Sequence, residues 1–269
     1  MNRYARARVL VIAGSDSSGG AGFQADCKII TALGGYAASA ITALTAQNTL
    51  GVHGVFGVPA DFVRAQMRVV LEDIGADAMK SGMLANAEII EAVAEEIRDA
   101  LKGDRKISYV LDPVMVAKGG AALLSPDAVG KLREMLVPLA DVVTPNIPEA
   151  RELTGITIRG ESDARKAGEA LLEMGARAAL VKGGHGEGDE LVDVLVLKGG
   201  ESVRFPNKRI DTVHTHGTGC SLASAIAVLL ARGFELHEAV EQALAHVRRG
   251  IVEAPGFGKG HGPIAHAFD

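Results

Sequence analysis

Short runs rich in β-branched residues alternate with longer amphipathic runs along most of this 269-residue chain. The short runs predict strands and the amphipathic runs predict helices, because their apolar residues recur at the spacing typical of each element. The predicted strands are 8–16, 36–48, 77–83, 107–115, 141–146, 178–184 and two within 190–206. The predicted helices are 20–35, 60–75, 87–103, 125–140, 147–155, 163–175 and two that follow. This order favours a mostly parallel sheet with helices on both faces.

The domain organisation is predicted to be simple. The sequence shows neither an internal repeat nor a linker long enough to divide it, so we expect a single α/β domain over residues 1–269. A hydrophobic content of 48% is that of a globular protein with a sizeable core.

The charge and hydropathy patterns argue against several classes of protein. The formal net charge is −5 and long lysine or arginine runs are missing, which argues against a nucleic-acid surface. The longest apolar stretches, such as 222–231, are shorter than the roughly 20 residues that span a membrane, and a signal-peptide pattern is missing. We therefore expect a cytoplasmic protein that acts on small molecules, with Cys27 and Cys220 as separate free thiols.

Polar residues follow several of the predicted strands. In parallel α/β sheets, ligands bind beyond the carboxyl ends of the strands, so residues at those ends are candidates for function. We interpret residues 209–215 as one more strand-like segment, which precedes a glycine-rich turn. The candidates selected in this way are Asp112, Asn146, Glu149, Lys182 and Cys220.

Each candidate also has a purely structural interpretation. Asp112 could simply end a strand, Glu149 could be a first-turn charge that suits the helix dipole, and Lys182 could be a solvated lysine. Together, however, their chemistry matches phosphoryl transfer, which needs magnesium, a cradle for the moving charge and a group that orients the attacking oxygen. Asp112 and Glu149 are candidate magnesium ligands with Asn146 in support, since Mg²⁺ takes one or two protein carboxylates together with substrate phosphates.

The turn Gly217–Thr218–Gly219–Cys220 leads directly into an apolar helical run. Such a turn directs unpaired backbone N–H groups, reinforced by the helix dipole, at an anion, so it predicts an anion hole. The same position is expected to favour the thiolate of Cys220, unless Cys220 is only a small residue that packs the helix start. We expect the sulfur to face an acceptor hydroxyl, because a thiolate inside the hole would repel phosphate.

Two better-known glycine motifs do not fit. A P-loop fails because neither Gly-Lys pair, at 130–131 or 258–259, is followed by Ser or Thr. Residues 20–25 match the looser dinucleotide pattern, but the acidic residue expected about 20 positions later is missing. The loop at 14–22 instead suggests a backbone-lined pocket for a small substrate.

Several of these segments resemble one family of small-molecule kinases. The segments are AGSDSSGGAGFQAD (13–26), TALTAQNT (42–49), KSGML (80–84), LDPVMVAKGG (111–120), TPNIPEA (144–150), VKGGH (181–185), HTHGTGCSLASAIA (214–227) and GKGHGP (258–263). The chain is similar to the hydroxymethylpyrimidine and phosphomethylpyrimidine kinases of thiamin biosynthesis, which have the ribokinase-like three-layer fold. Cys220 stands where many other ribokinase-like kinases carry an acidic base.

The resemblance implies ATP as co-substrate, Mg²⁺ as cofactor, a homodimer and a role for each matching residue. It makes Cys220 the base or orienting group for the acceptor hydroxyl, and Gly217, Thr218 and Gly219 the rest of the anion hole. The implied magnesium and ATP contacts are Asp112, Asn146, Glu149 and Lys182. The implied pyrimidine contacts are Asp26, Gln47, Met83 and Val114, and an amide such as Gln47 can donate to a ring nitrogen while it accepts from an exocyclic amine.

Several functions remain open from the sequence. The leading hypothesis is ATP-dependent phosphorylation of 4-amino-5-hydroxymethyl-2-methylpyrimidine, followed by phosphorylation of the monophosphate to the diphosphate. A pyridoxal kinase is the close alternative, since pyridoxal also carries a hydroxymethyl group on a flat nitrogen heterocycle. The distant alternatives are a cysteine-dependent acyl-transfer enzyme that pairs Cys220 with His214 or His216, and a non-catalytic dinucleotide-binding module.

Overall fold

A nine-stranded sheet runs through the structure, a computed structural model that describes residues 7–103, 105–116, 120, 124–184 and 189–268. Its strand order is β3-β2-β1-β4-β5-β6-β7-β8-β9. The six strands from β2 to β7 in this order are mutually parallel, whereas β3, β8 and β9 run antiparallel to their neighbours. The strands are β1 (Arg8–Asp16), β2 (Tyr36–Asn48), β3 (Gly51–Gly57), β4 (Ala78–Ser81), β5 (Ser108–Leu111), β6 (Val142–Val143), β7 (Ala178–Val181), β8 (Glu190–Leu197) and β9 (Ser202–Lys208).

Eight α-helices are present in the described ranges, and helices cover both faces of the sheet. They are α1 (Gly22–Ala32), α2 (Ala60–Asp73), α3 (Ala87–Leu101), α4 (Pro126–Lys131), α5 (Ile147–Thr154), α6 (Glu161–Glu173), α7 (Thr218–Ala231) and α8 (Leu236–Val252). The helix predicted at 125–140 is split, because α4 passes into a π-turn (Leu132–Leu136) and a 3₁₀ turn (Val137–Leu139). Pro138 lacks an N–H and interrupts the regular ladder there.

The core consists of two main apolar layers that the central strand β1 separates. Leu10 and Ile12 point into the layer built with α2 and α3, while Val9 and Val11 point into the layer built with α1, α7 and α8. This alternation follows from the two-residue period of a strand. It confirms the predicted α/β fold class, with a mostly parallel sheet between helical layers.

The structure also differs from the predicted elements. Strand β3 was not predicted, because its glycines hide the alternation of apolar residues. Residues 209–215 are not a strand, so that prediction is wrong: these residues follow the edge strand β9 and join no ladder. The predicted chain limits 1 and 269, residues 117–119 and His185 lie outside the described residues.

The fold brings strand ends and one helix start together. Parallel strands β1, β4, β5, β6 and β7 all end at the same edge of the sheet, as their register requires. Helix α7 is buried along Ser221–Leu229, so its N-terminus is held rigidly at that edge. None of the described helices is long and apolar enough to cross a bilayer.

Candidate active site

A cavity of about 540 Å³ opens at the carboxyl edge of the parallel strands. Every predicted site residue except Asp26 lines it. The lining members of that set are Gln47, Met83, Asp112, Val114, Asn146, Glu149, Lys182, Gly217, Thr218, Gly219 and Cys220. The sheet topology therefore assembles residues that are spread over more than half of the chain.

The N-terminus of α7 forms one wall of this cavity. Gly217 is the residue before the helix and has a left-handed backbone (φ 84°), which glycine adopts without strain. A Cβ at Gly217 would overlap the carbonyl oxygen of Gly20, so the loop at 14–22 packs directly on this turn. A Cβ placed on Gly219 would lie 3.3 Å from Lys182 Nζ. The first-turn N–H groups of α7 thus lie beside a cation, as an anion hole requires.

Asp112, which is buried, and Lys182, which is partly buried, form an ion pair below this wall. Lys182 Nζ donates to Asp112 Oδ1 at 3.2 Å, and the Thr144 hydroxyl lies 3.4 Å from the same oxygen. Burial disfavours the lysine charge, but Asp112 and Glu149 outweigh it and raise the Lys182 pKa. Asp112 Oδ2 is buried and has no hydrogen-bond partner in the part of the chain that the structure describes. A buried free acceptor of this kind fits a cation ligand.

Glu149 belongs to the helix start and to the site. Asn146 Oδ1 accepts from the Glu149 N–H at 2.9 Å, and Glu149 Oε2 accepts from the Asn146 N–H at 2.8 Å. This reciprocal capping box begins α5. Burial raises the Glu149 pKa to about 7; nearby Asp112 adds to the increase, and Lys182 opposes it. The structural and functional interpretations of Glu149 are therefore compatible.

Cys220 lies in the first turn of α7, where it is partly exposed to the cavity, and its thiol is free. Burial raises its pKa to about 12, and Lys80 only partly offsets this effect. Asp26 and Asp112 raise the pKa further. The pKa of Cys220 is thus shifted in the direction opposite to the prediction that the helix terminus favours the thiolate, because desolvation and two nearby carboxylates raise it.

Asp26 lies behind the cavity rather than in it. Its side chain is fully buried, and Lys80 Nζ binds both carboxylate oxygens at 3.0 and 2.9 Å. The Ser224 hydroxyl donates to Asp26 Oδ1 at 2.7 Å. The predicted acceptor contact of Asp26 is therefore corrected: its carboxylate accepts from Lys80 of β4 and Ser224 of α7 and does not line the cavity.

Sequence reasoning missed a buried pair next to Gln47. Asp16 Oδ2 lies 2.7 Å from His216 Nε2, and Gln47 Nε2 lies 3.5 Å from the same nitrogen. Both members of the pair line the cavity. An aspartate two residues before a serine is a turn signal that could have identified Asp16. His216 carried no comparable signal.

The acyl-transfer hypothesis finds no support in this geometry. His216 is engaged by Asp16, and the buried Nδ1 atom of His214 has no hydrogen-bond partner among the residues that the structure describes. Within the described ranges, neither histidine makes a hydrogen bond to Cys220. A nucleophilic cysteine needs such a base.

The chain is similar to known proteins over nearly its whole length. The Phosphomethylpyrimidine kinase family matches residues 16–265. The hydroxymethylpyrimidine/phosphomethylpyrimidine kinase of Bacillus subtilis is 46% identical over 259 residues, which are 96% of this chain and 94% of that protein. The thiamine biosynthesis bifunctional protein ThiED of Geobacter sulfurreducens is 49% identical over 98% of this chain, which spans only 53% of that longer protein.

Among solved structures, an ADP complex of Bacillus subtilis pyridoxal kinase is similar over nearly its full length. It is 36% identical, covers 97% of this chain and 98% of its own, and superposes with a TM-score of 0.87. The chain therefore resembles this protein in fold as well as in sequence. On the family match and the full-length identity, the chain belongs to the phosphomethylpyrimidine kinase family.

Proposed function

We propose that this chain is an ATP-dependent kinase that phosphorylates the hydroxymethyl group of 4-amino-5-hydroxymethyl-2-methylpyrimidine and then the resulting monophosphate, in thiamin biosynthesis. One observation carries the proposal: an anion hole, a lysine, two carboxylates and an amide that can read a pyrimidine line one cavity. The names of the family and of its full-length relatives support it. The chemistry is expected to take place in the cytoplasm.

The donor end of the cavity lies between α7 and Lys182. The N–H groups of Gly217–Cys220 bind the oxygens of the phosphoryl group in transfer, and Lys182 neutralises part of its charge. Asn146, at the start of α5, faces the same space. Binding of ADP by the related pyridoxal kinase supports ATP as the phosphate donor.

Mg²⁺ fits the acidic residues at this end. Asp112 Oδ2 is a buried acceptor without a partner among the described residues. The Glu149 carboxyl group lies close enough to Lys182 to raise its pKa, as Asp112 also does. The described residues include no group of three or more His, Cys, Asp or Glu side chains that could hold a metal ion. The two carboxylates of Asp112 and Glu149 suit an ion that takes most of its ligands from phosphates and water. Mg²⁺ held by Asp112 and Glu149 would neutralise the ATP phosphates.

The acceptor end lies near Gln47, Met83 and Val114. The Gln47 amide offers one donor and one acceptor, which match a ring nitrogen and the neighbouring exocyclic amine. Its backbone is fixed by Ser17, whose hydroxyl lies 2.8 Å from Gln47 N and 2.9 Å from Gln47 O. The acceptor is thus held on a rigid strand end.

Cys220 lies between the two ends and acts as a neutral thiol. In a largely dissociative transfer, the bond from phosphorus to the acceptor oxygen forms while the bond to ADP breaks, and the hydroxyl proton leaves late, to an oxygen of the transferred phosphoryl group. Alignment of the hydroxyl then matters more than a strong base. A thiol with a pKa of about 12 suits this orienting role.

The test is ADP release with ATP and magnesium against the free pyrimidine, its monophosphate and pyridoxal. We expect both pyrimidines to be turned over, with higher kcat/KM than pyridoxal. Preference for pyridoxal would replace the proposal with the pyridoxal kinase hypothesis, for which the 0.87 TM-score is the supporting observation. Release with none of the three acceptors would contradict both.

A further inference from the structure

Asp16 is the centre of a hydrogen-bond cluster that no part of the mechanism above uses. Its carboxylate is 3% exposed and accepts from Ser18 N at 2.8 Å, Ser18 Oγ at 2.9 Å and Ala21 N at 2.9 Å. These three bonds lie within the loop at 14–22. The fourth donor is His216 Nε2 at 2.7 Å, which comes from the segment leading into α7.

The charge state of the pair follows from this geometry. Burial opposes an ionised Asp16, but the bonds from His216 and Ser18 outweigh it and lower the Asp16 pKa. An ionised carboxylate only accepts hydrogen bonds, so His216 Nε2 carries the proton and donates it. A buried, charge-assisted bond of this length is among the stronger side-chain hydrogen bonds in proteins.

His216 is itself fixed on its other side. Its N–H donates to Gly262 O at 3.1 Å, and its carbonyl accepts from Ile264 N at 3.4 Å. The next residue, Gly217, begins the anion hole and packs against Gly20 of the loop. The imidazole thus joins the loop to the hole at the point where their backbones touch.

The loop at 14–22 and the turn before α7, which His216 joins, bind different reactants. The loop and Gln47 form the acceptor side, and Gln47 Nε2 lies 3.5 Å from the same imidazole nitrogen. The turn after His216 forms the phosphate side. Because misplacement of a reacting group by about 1 Å can lower a rate by 10²-fold, a bond across this junction bears directly on alignment.

We propose that His216 and Asp16 are a positioning pair that locks the acceptor loop against the anion hole and thereby aligns the acceptor hydroxyl with the phosphoryl group. The inference rests on the proposed kinase function for its effect on rate. It does not depend on that function for its effect on the loop. His216 touches neither reacting atom and sets the distance between the groups that do.

The experiment compares two substitutions of similar chemistry. His216→Gln keeps an N–H donor at the reach of imidazole Nε2, whereas His216→Asn places its amide one bond short. His237→Asn on the exposed part of α8 is the matched control. Three quantities are measured: kcat with the pyrimidine, the Kd of AMP-PCP, and deuterium uptake by residues 15–22 without substrate.

We expect His216→Asn to lower kcat by about 10- to 100-fold, to leave the AMP-PCP Kd unchanged, and to raise deuterium uptake in the loop. His216→Gln should stay within about threefold of the wild type in kcat and show wild-type uptake. Equal losses in the two variants, or unchanged kcat and uptake in His216→Asn, would overturn the proposal. If His216→Asn does not fold, loss of kcat in folded His216→Gln overturns it, and retention of kcat supports it.

The two proposals fail in different ways. A wild-type protein that phosphorylates none of the acceptors contradicts the kinase function, while deuterium uptake still tests the pair. A wild-type kinase whose loop uptake is the same in both variants contradicts the pair alone.

Discussion

The Glu149 carboxyl group caps α5 and faces Lys182 in the cavity. Glu149→Gln separates these tasks, because glutamine retains a capping oxygen at this helix position but loses the negative charge. We expect a native fold and an apparent magnesium affinity about 10–100-fold weaker. A magnesium titration of ADP release measures it. Wild-type turnover at limiting magnesium would show that Glu149 is only a cap.

Gln47 is expected to read the acceptor ring, since its amide lines the cavity. Gln47→Ala leaves polar atoms of the ring unpaired, which typically costs about 1–3 kcal/mol. The acceptor KM should therefore rise by about 5- to 150-fold, while the Kd of AMP-PCP stays unchanged. Steady-state kinetics measure the acceptor KM, and calorimetric titration measures the Kd of AMP-PCP. Equal loss for both ligands would place Gln47 elsewhere in the reaction.

Cys220→Ala should lower turnover by roughly 10²-fold, the lower range for a positioned proton-transfer group, with ATP binding preserved by the backbone donors. The pKa of about 12 adds a second expectation. In a Cys27→Ser background, iodoacetamide should modify Cys220 slowly at neutral pH, with a rate that keeps rising tenfold per pH unit to about pH 10. Bound acceptor should protect the thiol. A modification rate that levels off near pH 8 would contradict the raised pKa of Cys220. Full activity of Cys220→Ala would contradict its role in turnover.

The site residues that could be predicted share one property: their residue type and their position along the chain indicate a role without knowledge of the side chains that they contact. Asp112 and Lys182 follow apolar runs, the glycines before Cys220 precede one, and the fold brings them to one cavity. Asp26 and Asp16 show what a sequence hides. Each is an aspartate in the same glycine-rich region, and only their partners, Lys80 and His216, distinguish the buried ion pair from the loop centre.

Strand β4 and helices α1 and α7 meet at the ion pair of Lys80 and Asp26, both fully buried. Lys80→Met should lower the free energy of unfolding by about 3–5 kcal/mol, because it leaves Asp26 as an unpaired buried charge. Adding Asp26→Asn should recover much of this loss, since both groups are then neutral. Urea denaturation of the two variants at pH 7 measures the difference. A single-variant loss below about 1 kcal/mol would mean that the pair is screened.

Whole elements were predictable where one face is buried and the apolar period is clear. Strand β1 and helix α3 are examples, since each presents a regular apolar pattern to the core. Strand β3 escaped prediction because pairing with β2, rather than its own composition, makes it a strand. The segment 209–215 shows the converse case: it has strand-like residues, but no neighbouring strand in the described sheet.

At the scale of the whole molecule, the outer edge of the sheet exposes large apolar side chains. Leu44 of β2 and Phe56 of β3 are cross-strand partners and are 48% and 67% exposed. We propose that this edge is the homodimer contact that the family resemblance implies. Burial of the part of each side chain that is still exposed would contribute about 0.7–2 kcal/mol. Exposed apolar pairs of this kind commonly mark an interface.

Leu44→Glu combined with Phe56→Glu should therefore convert a dimer to a monomer in sedimentation velocity at micromolar concentration. Phe257→Glu is the control, because Phe257 is equally exposed (66%) but lies in a separate loop. A wild-type protein that sediments as a monomer, or a double variant that remains a dimer, would contradict this contact.

The anchoring of His216 by Gly262 and Ile264 has a consequence for biosynthesis. The loop at 14–22 leaves the ribosome early, but the segment that holds its partner follows roughly 240 residues later. At 5–20 residues per second, translation needs about 10–50 s to cover that interval. For most of this interval, until His216 and Gly217 are made about 200 residues after Asp16, Asp16 has no histidine to bind and Gly20 has no turn to pack against. The acceptor loop is therefore among the first parts of the chain to be made and is fixed only after nearly the whole chain has been synthesised.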